Sequence, residues 1–489
     1  MQIDHMQIDQ YIEFHWTEIV EDIASLVAIS SVEDATTATQ KTPWGLAVAD
    51  ALECALSIAR RLGLSVHNCD GYLGYADLTG ACERKFSGVA FGMAGVIDSE
   101  ISTNKSVKKQ IAVIAHLDVV PAGLGWDFDP FTLQRKDGYL VGRGVIDDKG
   151  PAVLLLWAAH FFVQQSLTLH NDLRILLGAN EETGMADVCY YLSHYNAPDF
   201  LFTPDSSWPV VIGEKGSYNA EILFPLQKDG RIVGLEGGTV RNAVAVKSHA
   251  ILRANLSELS TAPYITFCKL SDGLVRIDAC GTGGHAAMPE NTVSALGILV
   301  RYLLDNGLYN SSEKRWLEFQ ELIYGAWDGS LLGIDADDDI FSPLTIISGT
   351  MTVRDNALVQ TIDCRYPKST TPDIIHAQLQ AICNRYGVTL QETHRSKYLF
   401  VDPDRPEITA LLTSYEEWTG QEAVPVTIGG GTYAKHFPYA VAFGPEDETS
   451  DDQKPEWVGT IHGPNEAIRE ESLKRALGIY ISALAKLLF

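Results

Sequence analysis

The chain is 489 residues long, which at roughly 100–200 residues per domain allows two to four domains. Hydrophobic residues make up 46% and charged residues 20%, a composition that excludes a disordered chain. The 37 Lys and Arg residues face 63 Asp and Glu residues, giving a net charge of −26, and this negative field makes nucleic acids and anionic membrane surfaces poor partners.

The N-terminal segment and the spacing of the cysteines indicate the cellular compartment of the protein. The first residues carry acids where a secretory signal carries a basic region, and the longest apolar run, residues 152–163, is too short to span a bilayer. Eight cysteines are scattered without a CxxC pair, and we interpret them as reduced, mostly buried thiols. These observations predict a cytoplasmic protein.

In chain order, the first 215 residues predict helices that alternate with buried strands. Helical periodicity begins at residue 10, and a second helix is expected at about 44–62. The apolar run 109–115 is typical of a strand covered on both faces, and the helical segment 150–165 separates it from a second such strand that begins at Leu173. This order predicts a βαβ unit and a parallel sheet.

The pattern changes after residue 216, where alternating strands such as 217–224 and 274–280 are joined by longer helices. A helix at 405–420 and a last helix at 466–488 then follow. The sequence therefore predicts an α/β fold with a parallel-sheet domain of residues 1–215 and 397–489, and an inserted α+β domain of residues 216–396.

His116 and Asp118 directly follow the first buried strand. The carboxyl ends of parallel strands are where ligands collect, so His116 is expected at the edge of a site. In an extended His-x-Asp the two side chains share a face, so that Asp118 can accept the second imidazole N–H and fix the tautomer that binds metal. A surface pair without function is the alternative for this short pattern alone.

Further acids stand at the ends of the following predicted elements. Asp147 lies in a glycine-punctuated turn before a helix, Glu181 and Glu182 end the second buried strand, and Asp205 follows another apolar run. A helix cap or an ordinary turn explains each acid alone. Together with His116 they form a set of nitrogen and oxygen ligands that suits divalent cations.

Five segments in this order carry a family resemblance. They are His-Leu-Asp-Val-Val-Pro at 116–121, Gly-Arg-Gly-Val-Ile-Asp-Asp-Lys-Gly-Pro at 142–151, Asn-Glu-Glu-Thr-Gly at 180–184, Thr-Pro-Asp at 203–205 and Ile-His-Gly-Pro-Asn-Glu at 461–466. The chain resembles the M20 family of metallopeptidases, and most closely its long dipeptidase branch, the dipeptidase V-like enzymes. The match of 461–466 favours His462 over His436 as the C-terminal metal ligand.

The resemblance implies roles for these residues. Asp147 would bridge two zinc ions, and the other ligands would form two pairs: His116 with Asp205, and Glu182 with His462. Cobalt or manganese are alternatives to zinc. Glu181 would be the general base, accepting a proton from the attacking water and returning it to the leaving amine.

The inserted domain and the glycine loop that follows it add candidates by the same resemblance. His285 would donate a hydrogen bond to the tetrahedral oxygen, Arg365 would bind the terminal carboxylate of the substrate, and the backbone amides of Gly430 and Gly431 would receive the same carboxylate. A loop histidine and a salt-bridged structural arginine are the alternatives. Asn242 aligns with the family's asparagine motif as a second oxyanion donor, although the proline usual near the end of that motif is absent.

These residues predict a zinc-dependent dipeptidase that acts on short unblocked peptides. The inserted domain would be a lid that covers its own site, and the long branch implies a monomer. An N-acyl amino acid amidohydrolase with the same dinuclear site is the alternative enzyme. A non-catalytic relative that keeps the fold is the third interpretation.

Overall fold

The structure is a computed structural model that describes residues 4–78, 108–165, 169–446 and 454–489. The chain forms two compact units. The first contains Met1–Ile212, Val401–Val426 and Thr432–Phe489, and the second contains Gly213–Phe400 and Thr427–Gly431. The sequence places the glycine loop with Gly430 and Gly431 in the first domain, whereas the structure groups this loop with the second unit.

The described residues form nine α-helices and 23 strands. The helices are α1 His5–Val27, α2 Leu46–Arg61, α3 Lys149–Gln165, α4 Ala186–His194, α5 Ala295–Asp305, α6 Ser311–Tyr324, α7 Pro372–Tyr386, α8 Pro406–Thr419 and α9 Glu470–Leu488. The strands are β1 Ser65–Cys69, β2 Leu73–Leu78, β3 Gln110–His116, β4 Gln134–Lys136, β5 Tyr139–Val141, β6 Asp172–Gly178, β7 Phe200–Thr203, β8 Ser206–Ser207, β9 Val211–Glu214, β10 Gly216–Pro225, β11 Ile232–Gly237, β12 Lys247–Arg253, β13 Ile265–Ser271, β14 Leu274–Cys280, β15 Thr345–Ile347, β16 Met351–Arg354, β17 Ala357–Tyr366, β18 Thr389–Ser396, β19 Leu399–Phe400, β20 Val426–Ile428, β21 Ala440–Ala442, β22 Pro445–Glu446 and β23 Ala467–Arg469.

The central sheet of the first unit has the strand order β1-β2-β6-β3-β7-β21, followed by β9 through the pairing of Val211 with Ala442. Strands β6, β3, β7 and β21 run parallel, while β1, β2 and β9 are antiparallel to their neighbours. The predicted parallel sheet is therefore confirmed for the centre, and its flanking strands make the sheet mixed.

Helix α3 lies between β3 and β6 in the chain and is buried around most of its circumference. It packs against α1, α9 and the two strands, which is why its sequence is apolar almost throughout rather than along one stripe. Two buried hydrogen bonds join it to α1: the indole Nε1 of Trp157 donates to the carboxylate of Asp22, and the Tyr11 hydroxyl donates to the carbonyl of Trp157, each at 2.8 Å.

This topology determines where the polar residues gather. Strand β3 ends at His116, β6 ends two residues before Asn180, and β7 ends two residues before Asp205. Because the three strands are parallel neighbours, their carboxyl ends lie at the same edge of the sheet. The loop that carries Asp147 precedes α3.

A small three-stranded sheet, β4-β5-β23, brings the C-terminal segment to this region. Ala467 pairs with Val141, and the Gly142 amide donates to the carbonyl of Glu466 at 3.0 Å. The sequence predicts a helix from residue 466, but the helix begins at Glu470, because residues 467–469 form β23 instead. The pairing therefore places the segment 461–466 beside the loop 142–147.

The second unit is built on an antiparallel sheet with the order β13-β14-β12-β11-β16-β17-β10-β18, and β15 also pairs with β17. Its core contains side chains from this sheet and from α5, α6 and α7, among them Leu299, Trp316, Ile362 and Leu379. The prediction of an α+β inserted segment agrees with this arrangement of an antiparallel sheet with helices.

The cysteines differ from the expectation. The seven cysteines in the described part of the chain are all free, but Cys189, Cys268 and Cys280 are exposed and Cys54 is half-buried. The interpretation of mostly buried thiols is therefore wrong, since exposed positions on α4, β13 and β14 accept small side chains without burying them. Cys82 lies outside the described residues. None of the helices in the described ranges combines the length and apolarity needed to cross a membrane.

Candidate metal centre

His116 is fully buried at the end of β3, and its hydrogen bonds define its tautomer. Its Nδ1 lies 2.9 Å from the main-chain carbonyl of Asp118, and a carbonyl oxygen can only accept, so Nδ1 donates. Nε2 faces carboxylates, at 2.8 Å from Oδ1 of Asp147 and 3.9 Å from Oδ2 of Asp205. The imidazole therefore presents the nitrogen that can ligate a cation.

Asp147 lies between two histidines. Its Oδ1 faces His116, and its Oδ2 lies 2.9 Å from Nε2 of His462. Glu182 approaches the same nitrogen of His462 with Oε1 at 3.1 Å. A carboxylate whose two oxygens face separate imidazoles has the arrangement needed to be shared by two ligand groups.

The described residues contain two groups whose potential ligand atoms all lie within 4.8 Å of one another. One group is His116, Asp147 and Asp205, and the other is Asp147, Glu182 and His462. Carboxylate oxygens and imidazole nitrogens are ligands that divalent first-row cations accept. The donor set therefore fits divalent metal ions, with Asp147 common to both groups.

The electrostatics of the cluster agree with this fit. Burial, followed by the charge of Asp147, raises the pKa of Asp205 well above its ordinary value. Partial burial opposes protonation of His462, but the hydrogen bonds that its ring donates to the carboxylates of Asp147 and Glu182 raise its pKa to about 10. The buried negative charge thus favours cations, and protons on the imidazoles would compete with metal ions for the same carboxylates.

Glu181 precedes the candidate ligand Glu182 in the loop after β6. Burial and the neighbouring charge of Asp205 raise the pKa of the Glu181 carboxyl well above its ordinary range. A carboxyl group with a raised pKa is a stronger proton acceptor than an exposed glutamate, which suits a general base. The structure therefore places a candidate acid–base group in the same cluster as the candidate ligands.

Asp118 contacts the site differently from the expectation. Its carboxylate is 3.6 Å from Nδ1 of His116, too far for a hydrogen bond, and instead accepts the backbone amides of Glu181 and Glu182 at 3.1 Å each. The ring N–H hydrogen bond goes to the main-chain carbonyl of Asp118 and its carboxylate lies within ion-pair distance, because β3 ends at His116 and the alternation of an extended strand does not continue to Asp118.

Three residues that the sequence did not single out support the loop 180–184. Glu33 accepts hydrogen bonds from Asn180 and Thr183. Asp187 accepts the amides of Ala179 and Asn180 at 2.7 and 3.1 Å, and the Tyr433 hydroxyl donates to Asp187 at 2.5 Å. A sequence signal existed only for Asp187, an acid in the first turn of α4, and that signal indicates a helix start rather than a site.

The second unit brings Asn242 and His285 together. Ala243 and His285 form an isolated antiparallel bridge, and the Ala286 amide donates to the carbonyl of Asn242 at 2.9 Å. The glycine loop lies beside the same segment, since a Cβ added to Gly429 would stand 2.7 Å from the Cβ of Ala287. Three of the segments predicted to carry substrate contacts are thus neighbours within this unit.

Arg365 lies on β17 and forms an ion pair within its own strand. Its Nε and Nη2 donate to the two carboxylate oxygens of Asp363 at 2.6 and 3.0 Å. Thr345, its partner in β15, donates through its hydroxyl to the carbonyl of Ala286. Arg365 therefore lies near the His285 segment, and the contact that the structure gives its guanidinium is the salt bridge.

Comparisons with known proteins agree with the motifs. The Beta-Ala-Xaa dipeptidase of Lactobacillus delbrueckii subsp. lactis is 28% identical over 487 residues, covering 96% of each chain. A putative dipeptidase of Bacillus subtilis is 27% identical over 486 residues, covering 96% of this chain and 97% of that protein.

Solved structures show the same fold. Human carnosine dipeptidase 1 superposes with a TM-score of 0.59 at 14% identity, covering 99% of both chains, and a dipeptidase of Saccharomyces cerevisiae superposes with a TM-score of 0.57 at 14% identity, also covering 99% of both. The model of the peptidase family M20/M25/M40 matches residues 112–486, which is most of the chain. The protein therefore belongs to peptidase family M20/M25/M40.

Proposed function

We propose that this protein is a dipeptidase that depends on two divalent metal ions, with zinc as the ion that the donor set favours. The observation that carries the proposal is the position of Asp147, whose two carboxylate oxygens face His116 and His462. Two similar bacterial proteins are named as a dipeptidase and a putative dipeptidase, which supports the substrate class.

The first unit supplies the proposed ligands. His116 and Asp205 would hold one ion, Glu182 and His462 the other, and Asp147 both. Bound divalent ions supply a lowered pKa for water and polarisation of a peptide carbonyl. Asp118 holds the backbone of Glu181 and Glu182 and thereby orients one ligand and the proposed base together.

Glu181 is the proposed acid–base group. It takes the proton of the attacking water and delivers it to the nitrogen of the leaving amine. Its burial and the charge of Asp205 favour the protonated form that the second transfer needs. The carboxylate of Asp118 accepts the backbone amide of Glu181 at 3.1 Å and so holds the main chain of the proposed base.

The proposal also includes residues of the second unit, in the roles that the family resemblance implies. His285 and Asn242 would stabilise the tetrahedral oxygen, and Arg365 with the amides of Gly430 and Gly431 would bind the terminal carboxylate. A carboxylate bound at a fixed distance from the hydrolysed bond would restrict the enzyme to dipeptides.

A set of substrates tests this function. We expect the zinc-loaded protein to hydrolyse an unblocked dipeptide and a β-alanyl dipeptide, and to hydrolyse a tetrapeptide extended from the same dipeptide far more slowly. Equal rates on the tetrapeptide would contradict the restriction in length. Faster hydrolysis of the N-acetylated amino acid than of the dipeptide would identify a deacylase.

Metal removal tests the dependence on cations. A chelator should abolish hydrolysis, and stoichiometric addition of zinc, cobalt or manganese should restore it to different extents. The same treatment of Asp147→Ala is the matched control, because this variant lacks the carboxylate common to both groups and should not recover. Hydrolysis that persists in metal-free wild-type protein would overturn the proposal.

A further inference from the structure

Arg143 and Glu466 form a buried ion pair beside the candidate metal centre. Their side chains are 1% and 0% exposed, and Nη1 of Arg143 lies 2.5 Å from Oε2 of Glu466. Buried ion pairs contribute little net stability compared with apolar residues of similar size, because both charges lose their hydration. The contacts that the two side chains make with the main chain therefore indicate what the pair does.

Glu466 holds the loop that carries Asp147. Its Oε1 accepts the backbone amides of Gly144 and Ile146 at 3.1 Å each and approaches the amide of Asp147 at 3.4 Å. Gly144 has a φ of +86°, a conformation that glycine adopts without strain. One carboxylate oxygen of Glu466 thus binds several backbone amides of the loop that carries Asp147.

Arg143 holds the loop that carries His462. Its Nη2 donates to the carbonyls of His462 and Gly463 at 3.1 and 3.2 Å, and a longer contact of 3.4 Å reaches the carbonyl of Ala122. These carbonyls need a donor, and a guanidinium offers several in a fixed plane. Arg143 can therefore bind Glu466 and the His462 loop at the same time.

The loop 462–465 has a backbone that needs such support. His462 and Asn465 have φ values of 62° and 57°, in the left-handed region that side chains with a Cβ occupy at an energetic cost. Asn465 is fixed by two hydrogen bonds with Asp127, each of 2.8 Å. Strained backbone persists only where neighbouring contacts hold it, and Arg143 supplies them at His462.

We propose that Arg143 and Glu466 are a positioning pair that sets the separation of Asp147 and His462 before a metal ion binds, and thereby sets the affinity for the ion shared by Asp147, Glu182 and His462. This inference rests on the proposed metal dependence. The ion associated with His116 and Asp205 does not use the His462 loop, so its affinity depends less on Arg143.

Calorimetric titration of metal-stripped protein with Zn²⁺ tests the pair. The wild type should bind two ions. Arg143→Lys keeps a positive charge opposite Glu466 but lacks the planar fork, and we expect one ion to bind about 10- to 100-fold more weakly while the affinity for the other changes by less than about twofold. Unchanged affinity for both ions, or an equal loss for both, would overturn the proposal.

A double-mutant cycle identifies which ion is affected. His462→Ala should lose the ion that this histidine ligates. Adding Arg143→Lys to His462→Ala should change the affinity for the remaining ion by less than about twofold, because the two changes act on the same ligand loop. A further loss of affinity in the double variant would contradict the assignment of Arg143 to the His462 loop.

Arg174→Lys is the matched control. Arg174 binds both carboxylate oxygens of Asp77 at 2.8 Å on the sheet of the same unit, and neither residue contacts the candidate ligands through a hydrogen bond or ion pair in the described part of the chain. We expect a lower melting temperature and two unchanged Zn²⁺ affinities for this variant. A selective loss of one ion here as well would make the effect of Arg143→Lys a general consequence of weakened ion pairs and would overturn the proposal.

Amide hydrogen exchange of the wild-type protein tests the proposal without relying on the folding of any variant. In metal-free protein the amides of Gly144 and Ile146 should exchange slowly with solvent, because Glu466 already binds them. Fast exchange that becomes slow only when Zn²⁺ is added would overturn the proposal, since the ion would then order the loop. A wild type that binds fewer than two ions contradicts the proposed function instead, so the two failures are distinguishable.

Discussion

The carboxylate of Asp118 accepts the backbone amide of Glu181 at 3.1 Å. The contact joins the end of β3 to the loop after β6, and the other carboxylate oxygen of Asp118 accepts the next amide in that loop. The main-chain carbonyl of Asp118 also accepts a hydrogen bond from Nδ1 of His116. Asp118 therefore positions the candidate ligand His116 with its backbone and the loop 180–184 with its side chain.

Asp118→Asn separates these two contributions. Asparagine keeps one acceptor oxygen but presents an NH₂ group to the second amide, so the loop 180–184 should shift while the His116 ring stays in place. We expect kcat to fall roughly 10- to 100-fold with the metal content retained.

The control for this prediction is Asp129→Asn, because Asp129 accepts the backbone amide of Phe131 at 3.0 Å in an exposed turn. Its kcat and metal content should equal those of the wild type. If Asp118→Asn instead lost metal and kept its turnover per bound ion, the carboxylate would act on His116 rather than on the loop 180–184.

Glu181→Gln should retain the metal ions and lose about 10²- to 10⁴-fold in kcat, because an amide cannot carry the proton between water and the leaving amine. Steady-state kinetics with metal analysis measures both quantities. Glu53→Gln, a neutralised acid at an exposed position on α2, is the control and should be unchanged. Full activity of Glu181→Gln would show that another group is the base.

Asp147→Ala and Asp205→Ala distinguish the shared ligand from an unshared one. Asp147 belongs to both candidate groups and Asp205 to one. Asp147→Ala should therefore lose both ions and the rate, whereas Asp205→Ala should retain the ion held by Glu182 and His462. Metal content per chain after dialysis measures this difference, and equal losses in the two variants would contradict the bridging role of Asp147.

Asp187 predicts a dependence of stability on pH. Burial raises its pKa from an ordinary 3.8 to about 6. The native state then binds the proton more tightly than the unfolded state, so this carboxyl stabilises the fold below about pH 4 and the contribution disappears as the pH rises through about 6. The size of the change is about 3 kcal/mol.

Urea denaturation of metal-free wild type and Asp187→Asn between pH 4 and pH 7 measures this contribution. The difference in unfolding free energy between them should fall as the pH rises, and an increase would contradict the raised pKa. Tyr433→Phe removes a hydrogen bond that lowers the pKa of Asp187, so in that variant the change should extend to higher pH.

Much of the fold was predictable because burial leaves a pattern in the sequence. The apolar segment 109–115 corresponds to β3, and the helical segment 150–165 corresponds to α3. The antiparallel flanks of the central sheet were not predictable, since strand direction depends on which neighbours pair rather than on composition. The start of α9 was missed for a related reason, because residues 467–469 pair with β5 instead.

The sequence by itself determined the types of candidate ligand and their order, because each follows a hydrophobic run that must end at the surface of the sheet or stands in a segment that resembles the M20 family. Only the tertiary structure decided which of them meet. His462 reaches Asp147 through the pairing of β23 with β5, and Asp118, Arg143 and Glu466 act on main-chain groups of distant segments. Hydrogen bonds to a distant backbone impose no periodicity and no spacing on the chain, so only the folded coordinates reveal them.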